Sequence, residues 1–161
     1  MPHINEKLDF CSEVFIVYHN KVLLRKHDKY GIWLSVGGHI DLGEDPVEAA
    51  YREVKEEVGL DVKIIGETHQ ISAGPVINGG YEYLIPPRYL RRHKVEGVIG
   101  HEHVVFVYFA ISESDKISDS VLEYERGVEM RWFSKEELEN EELVPNVKFC
   151  AVKALEELKD K

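Results

Sequence analysis

Residues 38–60 read GHIDLGEDPVEAAYREVKEEVGL, and this stretch predicts a capped helix between two loops. Asp45 fits the N-cap position, Pro46 fits the first helical position, and Glu48 completes an Asp-x-x-Glu capping box. Gly59 is placed to end the helix, because glycine readily adopts the left-handed conformation that closes many helices.

The two faces of this helix, which is predicted from about Pro46 to Val58, carry different residues. The face expected to pack on the core carries Val47, Tyr51, Val54 and Val58. The other face carries Glu53, Glu56 and Glu57 at i, i+3 and i+4, with Ala49 and Ala50 leaving space one turn earlier. Carboxylates this close repel one another, and a hard cation such as Mg²⁺ relieves the repulsion because it prefers oxygen ligands. An acidic helix face is also a common solvated surface, so the glutamates alone do not define a site.

The complete pattern is more specific than its acidic face. Its fixed positions are Gly38, Glu44, Arg52-Glu53, Glu56-Glu57 and Gly59, with aliphatic Val54 and Leu60. The stretch resembles the Nudix box, G-x5-E-x7-R-E-U-x-E-E-x-G-U with U aliphatic, and matches it at every position. The resemblance spans roughly residues 12–158 and implies a Nudix-type α/β/α sandwich, in which a mixed β-sheet carries the loop-helix-loop motif. One domain is expected over residues 1–161, a length sufficient for a single core.

The same resemblance implies a metal-dependent catalytic centre. Nudix hydrolases bind divalent cations, usually Mg²⁺, with Mn²⁺ as an alternative, and hydrolyse nucleoside diphosphates linked to another moiety. The implied metal ligands are Glu53, Glu56, Glu57 and the carbonyl of Gly37. The implied catalytic residues are Glu53, Glu56, Glu57 and Arg52. Arg52 and Glu44 match a pair that usually holds the loop of the box in shape, and Gly38 is assigned to substrate binding.

Basic residues outside the box are candidate substrate contacts. A hairpin is predicted over residues 12–26 with His19-Asn20 at its turn, and Arg25 near its end resembles a substrate contact of Nudix proteins. The alternative for Arg25 is a surface charge at a strand end. Residues 73–100 are predicted to form a long loop whose basic cluster includes Arg91 and Arg92. This loop would contact phosphate, close over the site as a lid, or simply be solvated.

The segment His101–Ile111 is the strongest strand candidate, since it is apolar almost throughout. Some Nudix enzymes use a carboxylate from outside the box as a ligand or base. Candidates here are Glu82, Glu96 and Glu102, and Glu102 is favoured because a strand end fixes its position. His101 and His103 share one face of this strand, but two histidines without a third nearby ligand are usually structural.

The remaining elements are predicted from local patterns. Strands are expected at Val62–Ile65 and 127–133, and residues 67–72 are expected to extend or pair with the first of these. Ser134 and Glu137 form a second capping box, which predicts a short helix. Asn146 is expected to cap the last helix, with Phe149, Val152 and Leu155 on its buried side.

Composition limits the functional classes. The chain has 161 residues, 43% apolar content and a net charge of −10, which is unfavourable for general binding of nucleic acid. It contains no apolar run long enough to span a membrane. Cys11 and Cys150 lie far apart without a C-x-x-C motif, so both are expected as free thiols of a cytoplasmic protein.

The sequence therefore predicts a Nudix pyrophosphohydrolase that acts on a small nucleotide-type substrate. A nucleoside triphosphate, a nucleotide sugar and an ADP-ribose-like compound all fit, and the general base is left open. The first alternative is a nucleotide sensor without turnover, although a sensor has no need for a complete set of box glutamates. The second is an RNA-cap hydrolase, which the acidic composition disfavours. The resemblance also implies a homodimer, because members of the family often dimerise.

Overall fold

A computed structural model describes residues 7–27, 30–68, 82–95, 97–119 and 126–159. In chain order, its elements are β1 (Leu8–Tyr18), β2 (Lys21–Lys26), β3 (Trp33–Leu34), β4 (Val36–His39), α1 (Pro46–Val58), β5 (Val62–Ile64), β6 (Tyr89–Lys94), β7 (Glu102–Ser112), β8 (Met130–Ser134), α2 (Lys135–Asn140) and α3 (Pro145–Glu157). None of these helices combines the length and the apolar character needed to cross a membrane.

The eight described strands form one mixed sheet with the central order β3-β2-β1-β7-β5. β1 and β7 pair in parallel from Leu8 opposite Glu102 to Val17 opposite Ile111, and the other pairs are antiparallel. On its other edge β1 has two partners, since β2 pairs with its last residues and β4 with residues 11–14. This division of one edge brings the end of β2 and the start of β4 close together.

Helices cover both faces of the sheet. On one face Val54 and Val58 of α1 lie in a core cluster with Ile16 and Tyr108. On the other face, a second cluster joins Phe15 and the remaining sheet residues to α2 and α3. The predicted α/β/α sandwich is therefore confirmed.

The predicted caps of α1 are present. The Asp45 carboxylate accepts hydrogen bonds from the amides of Val47 (2.7 Å) and Glu48 (3.0 Å), and the Glu48 side chain accepts one from the Asp45 amide (2.9 Å). Gly59 ends the helix with φ +66°. Local chemistry alone fixed both ends of this helix.

The predicted core face of α1 is only partly correct. Val54 and Val58 are buried, but Tyr51 is 40% exposed and its hydroxyl accepts a hydrogen bond from the Ile64 amide. Ala49 and Ala50 are fully buried, so the protein itself fills the space that these small residues leave.

Several other local predictions can be compared with the structure. His19 and Asn20 have positive φ at the hairpin turn, and Ser134 forms the second capping box with Glu137, so both predictions are confirmed. β8 begins at Met130, because Gly127 lies in a turn with positive φ. The strand at Val62 is present, Glu67 and Thr68 are not in a strand, and residues 69–72 lie outside the described residues.

The prediction for the last helix was wrong in two respects. α3 begins at Pro145 without a side-chain cap, so Asn146 lies inside the helix. Phe149 is 49% exposed, whereas Cys150, Ala151 and Ala154 are buried. Leu155 is buried as predicted, and Val152 packs partly buried against the same core cluster. Small side chains allow the helix to lie close to the sheet, and the predicted buried face is correct except for Phe149.

Candidate active site

Glu57 joins three elements at the point where the sheet divides. One carboxylate oxygen accepts a hydrogen bond from Arg25 Nη1 of β2 at 2.5 Å, and the other accepts one from the Gly37 amide of β4 at 2.9 Å. The Glu57 side chain is only 2% exposed, and Arg25 is also buried. Arg25, predicted as a substrate contact, is thus held against a glutamate of the box.

Arg52 organises the loop that precedes α1. Its Nε and Nη2 atoms bond the two carboxylate oxygens of Glu44 at 2.6 and 3.0 Å, and Nη2 also donates to the His39 carbonyl at 2.9 Å. The hydrogen bond with Glu44 is the main cause that raises the pKa of Arg52, and the same bond lowers the pKa of Glu44. The sequence-predicted contact between Arg52 and Glu44 is therefore present.

The third nitrogen of Arg52, Nη1, contacts two carboxylates of the box. Nη1 lies 2.8 Å from Glu53 Oε1 and 3.0 Å from Glu56 Oε2. One carboxylate oxygen from each of two successive turns of α1 thus bonds the same positively charged group. Oxygen donors with this convergence suit Mg²⁺ or Mn²⁺, so the residues present fit a divalent cation.

The glycines of β4 allow the helix to approach the sheet. A Cβ atom on Gly38 would lie 2.5 Å from Glu53 Oε1. A Cβ atom on Gly37, which has φ +145°, would collide with the Ser12 carbonyl oxygen and lie 2.8 Å from Glu13 Cα. Side chains at either position would displace the carboxylates or the strand, so this geometry requires both glycines.

The chain was also compared with known protein families. The family described as NUDIX domain matches residues 12–155. The chain is a member of the NUDIX family. A solved NUDIX-family hydrolase from Clostridium perfringens is 33% identical, with a TM-score of 0.80 over 97% of this chain and 100% of that chain.

Similar sequences include RNA pyrophosphohydrolases. The protein of that name from Acinetobacter baylyi is 30% identical over 117 residues, which cover 71% of this chain and 65% of that protein. The one from Pseudomonas savastanoi is 30% identical over 97 residues, or 60% of this chain and 57% of that protein. The chain thus spans less than two thirds of the length of these relatives. A MutT protein from Methanosarcina mazei, 17% identical with a TM-score of 0.64 over 99% of this chain and 100% of that chain, shares the NUDIX fold.

The structure does not bring Glu102 to the NUDIX box. Glu102 lies opposite Leu8 of β1, whereas Gly37 lies opposite Glu13, five residues further along the same strand. At about 3.3 Å per residue, Leu8 and Glu13 are roughly 17 Å apart along β1, so Glu102 and Gly37 are at least that far apart. Glu102 forms an ion pair with Arg92 instead. The sheet register therefore gives no support to the expectation that Glu102 supplies an extra carboxylate, which stays a prediction. Glu82 is exposed, and Glu96 lies outside the described residues.

The basic segment expected to be a loop is partly a strand. Residues 89–94 form β6, which pairs antiparallel with β7. Arg91 and Arg92 therefore point to opposite faces of the sheet, where Arg91 pairs with Glu13 and Arg92 with Glu102. Of the two arginines, only Arg91 lies next to a residue that neighbours the box. Residues 73–81 and residue 96 of the predicted loop lie outside the described residues.

Glu13 is the acidic residue that sequence reasoning missed. It lies opposite Gly37 in the sheet, accepts a hydrogen bond from Ser35 Oγ at 3.1 Å and pairs with Arg91. Its side chain is 20% exposed. The available signal was the presence of two acidic residues, Asp9 and Glu13, in a largely apolar strand, because charged side chains in such a strand need partners when they are buried.

Proposed function

We propose that the protein is a Mg²⁺-dependent NUDIX pyrophosphohydrolase that cleaves the diphosphate of a nucleoside diphosphate linked to another moiety. The observation that carries this proposal is the convergence of Glu53 and Glu56 oxygens on one positive group, beside a glycine that leaves them space. The candidate substrates are nucleoside triphosphates, nucleotide sugars and ADP-ribose-like compounds. Mn²⁺ is the alternative cation.

Different residues would have different roles in the proposed reaction. Glu53, Glu56, Glu57 and the Gly37 carbonyl would hold the cation, which neutralises diphosphate charge and polarises the phosphorus–oxygen bonds. Arg25 and the Gly37 amide fix Glu57, while Arg52 fixes the loop through Glu44. These residues are therefore positioned before substrate arrives, which is how most of the rate enhancement of phosphoryl transfer arises.

A box carboxylate would accept the proton of the attacking water. The water oxygen forms a bond to one phosphorus atom, the bridging P–O bond breaks, and the leaving phosphate keeps its electron pair. We assign the proton acceptor to Glu56, whose side chain is 31% exposed, compared with 10% for Glu53 and 2% for Glu57. Water reaches Glu56 most easily, and both oxygens of Glu57 already accept hydrogen bonds.

The proposal is tested by release of phosphate and pyrophosphate with and without Mg²⁺. We expect metal-dependent turnover, and a loss of at least about 10²-fold in kcat for Glu56→Gln, which removes the charge without changing the size. Glu139→Gln on the exposed side of α2 is the matched control and should retain activity. Equal turnover of the Glu56→Gln and Glu139→Gln variants would refute the assignment of Glu56.

The substrate panel should contain oxidised and unmodified triphosphates, ADP-ribose, nucleotide sugars, dinucleoside polyphosphates and NADH. If one compound binds and raises the melting temperature while none turns over, the protein is a sensor rather than an enzyme. Gly38 and Arg91 are proposed substrate contacts and would be tested by KM once the substrate is known. Arg92 was predicted as another. It is the weaker candidate because its partner Glu102 lies far from the box, whereas Glu13, the partner of Arg91, lies opposite Gly37.

A 5′-triphosphorylated RNA is the second candidate substrate. It is favoured by the similarity to proteins named RNA pyrophosphohydrolase. The net charge of −10 opposes an extended polyanion and supports a small substrate. A kcat/KM for triphosphorylated oligonucleotide well above that for the matching nucleoside triphosphate would establish the RNA candidate.

A cytoplasmic location and a homodimer are also proposed. The location is supported by Cys11 and Cys150, which are both buried and free. Sedimentation of the purified protein would test the dimer.

A further inference from the structure

A group of side chains that could bind a transition metal lies at one end of the sheet. It comprises Asp9, Cys11, His39, His101 and His103, named here the histidine cluster. Three strands and the turn before β7 contribute to it: β1 provides the aspartate and cysteine, β4 provides His39, and β7 provides His103. The proposed hydrolysis uses none of these side chains.

His103 lies at the centre of the cluster. Its ring centroid is 4.9 Å from that of His39 and 5.4 Å from that of His101. The ligand atoms of Asp9, His101 and His103 all lie within 4.8 Å of one another, and so do those of Cys11, His39 and His103. Two overlapping sets of three ligands thus share one imidazole.

The Asp9 carboxylate connects the two sets. Its Oδ2 atom lies 3.1 Å from His101 Nε2 and 3.8 Å from His39 Nε2. Asp9 is 1% exposed and His101 is 2% exposed. A carboxylate is retained in such an environment only when cations or strong donors compensate its charge, so this buried aspartate surrounded by imidazoles has the composition of a metal site.

The geometry favours the set that contains Asp9. The 3.1 Å between Asp9 Oδ2 and His101 Nε2 is already close to the spacing of about 3.3 Å between two ligands of one tetrahedral zinc ion. This set offers oxygen and nitrogen ligands, whereas the set that contains Cys11 offers sulfur and nitrogen.

We propose that Asp9, His101 and His103 bind a zinc-class divalent cation. His39 Nε2 lies 3.8 Å from Asp9 Oδ2 but outside this set of three, so the His39 side chain would have to move to become a fourth ligand. Ligand atoms of a tetrahedral site with bonds of about 2.0–2.1 Å are about 3.3 Å apart. The observed separations of up to 4.8 Å therefore need to contract by about 1.5 Å at most, within reach of side-chain rotation. Imidazole ligands select zinc over magnesium, so the cluster and the NUDIX box would take different metals.

The site would join strands that also carry the box. His39 follows Gly37 and Gly38 in β4, and its carbonyl accepts a hydrogen bond from Arg52 at 2.9 Å. A metal bound to the His39 side chain would therefore fix β4 against β1 and β7. We expect this site to stabilise the sheet and to act on the box only through the position of β4.

Cobalt absorption in the presence of excess Mg²⁺ tests the site, because Co²⁺ substitutes for zinc and Mg²⁺ occupies the oxygen ligands of the box. We expect one equivalent of Co²⁺ to give tetrahedral visible bands that Zn²⁺ abolishes. His103→Asn should weaken binding by more than about tenfold. His93→Asn is the matched control, since its ring lies 5.3 Å from that of His103 but belongs to neither ligand set.

Two results would overturn the proposal. One is the absence of tetrahedral bands in the wild-type protein at equimolar Co²⁺, and the other is equal binding by the His103→Asn and His93→Asn variants. If His103→Asn does not fold, His101→Gln provides the same test. A near-ultraviolet sulfur-to-cobalt band that disappears in Cys11→Ser would overturn the Asp9 set in favour of the Cys11 set. Turnover plays no part in these readouts, so they are independent of the proposed hydrolysis.

Discussion

Replacement of Gly38 by alanine should displace the Glu53 carboxylate while leaving the stability of the fold almost unchanged. The new Cβ atom would lie 2.5 Å from Glu53 Oε1 and 2.7 Å from its Cδ. Optimal contacts between non-bonded heavy atoms are about 3.5–4.0 Å, so the carboxylate must move by about 1 Å. Gly38 does not have a positive φ, and alanine therefore causes no backbone strain there.

The expected loss of activity is much larger than the loss of stability. A displacement of about 1 Å at a positioned catalytic group costs about 10²-fold in rate, equivalent to about 2.7 kcal/mol of transition-state stabilisation. The displaced atoms lie at the end of a flexible side chain, where a strained rotamer costs about 0.5–1.5 kcal/mol. Alanine also recovers about 0.4–1 kcal/mol by restricting the unfolded chain. The free energy of unfolding should therefore change by less than about 1 kcal/mol.

The assay measures kcat/KM at saturating Mg²⁺ and urea denaturation of the same samples. We expect Gly38→Ala to lose activity in the wild-type background and to lose little more in a Glu53→Gln background, because both changes act on one carboxylate. Wild-type kcat/KM in the single variant, or fully additive losses in the double variant, would refute the reasoning. Gly37→Ala should instead unfold the protein, because its Cβ atom meets backbone atoms.

Three further predictions concern the surroundings of the box and the core. Asp45→Ala removes the acceptor for two helix amides and should lower the free energy of unfolding by about 1 kcal/mol, while Asp45→Asn keeps the cap; equal urea midpoints would contradict this. Arg25→Ala removes the charged partner of buried Glu57 and should cost about 3 kcal/mol without metal. Saturating Mg²⁺ should restore part of that loss, and an identical cost with and without Mg²⁺ would argue against Glu57 as a ligand. Burial raises the pKa of Cys150 from 9.0 to about 11, so the unfolded chain loses this proton first. Stability should therefore fall from about pH 9 to about pH 11, and Cys150→Ala should flatten the decline in urea titrations.

Most predictions that depend on a few neighbouring residues were correct, with the cap predicted at Asn146 as the exception. The capping box at Asp45 and the left-handed Gly59 are confirmed, as is the hairpin turn at His19-Asn20. Each of these features is encoded within about five residues, where hydrogen-bond geometry and allowed φ values decide the outcome. The position of the box glutamates on one helix could therefore be derived from the sequence alone.

Predictions that depend on strand pairing were incomplete. β6 was missed because its sequence, YLRRHK, has no apolar alternation and is a strand only through its pairing with β7. The same pairing places Glu102 far from the box, while β1 and β4 bring Glu13 next to Gly37. The histidine cluster is a further case, since Asp9 and His39 are 30 positions apart in the sequence yet meet in the sheet. Register between distant segments is a property of the whole sheet, and no local pattern specifies it.

Two arginines explain how a protein with a net charge of −10 concentrates carboxylates at one point. Arg25 pairs with Glu57, and the Arg52 guanidinium bonds Glu44, Glu53 and Glu56 with its three nitrogens. Only a planar guanidinium presents enough donors in fixed directions for this role, so lysine would not replace Arg52. The acidic groups are therefore held in place before a cation binds. On the proposed function, a cation held by Glu53 and Glu56 would take the place of Arg52 Nη1 between them, while the bonds of Arg52 to Glu44 and the His39 carbonyl would keep the loop in position.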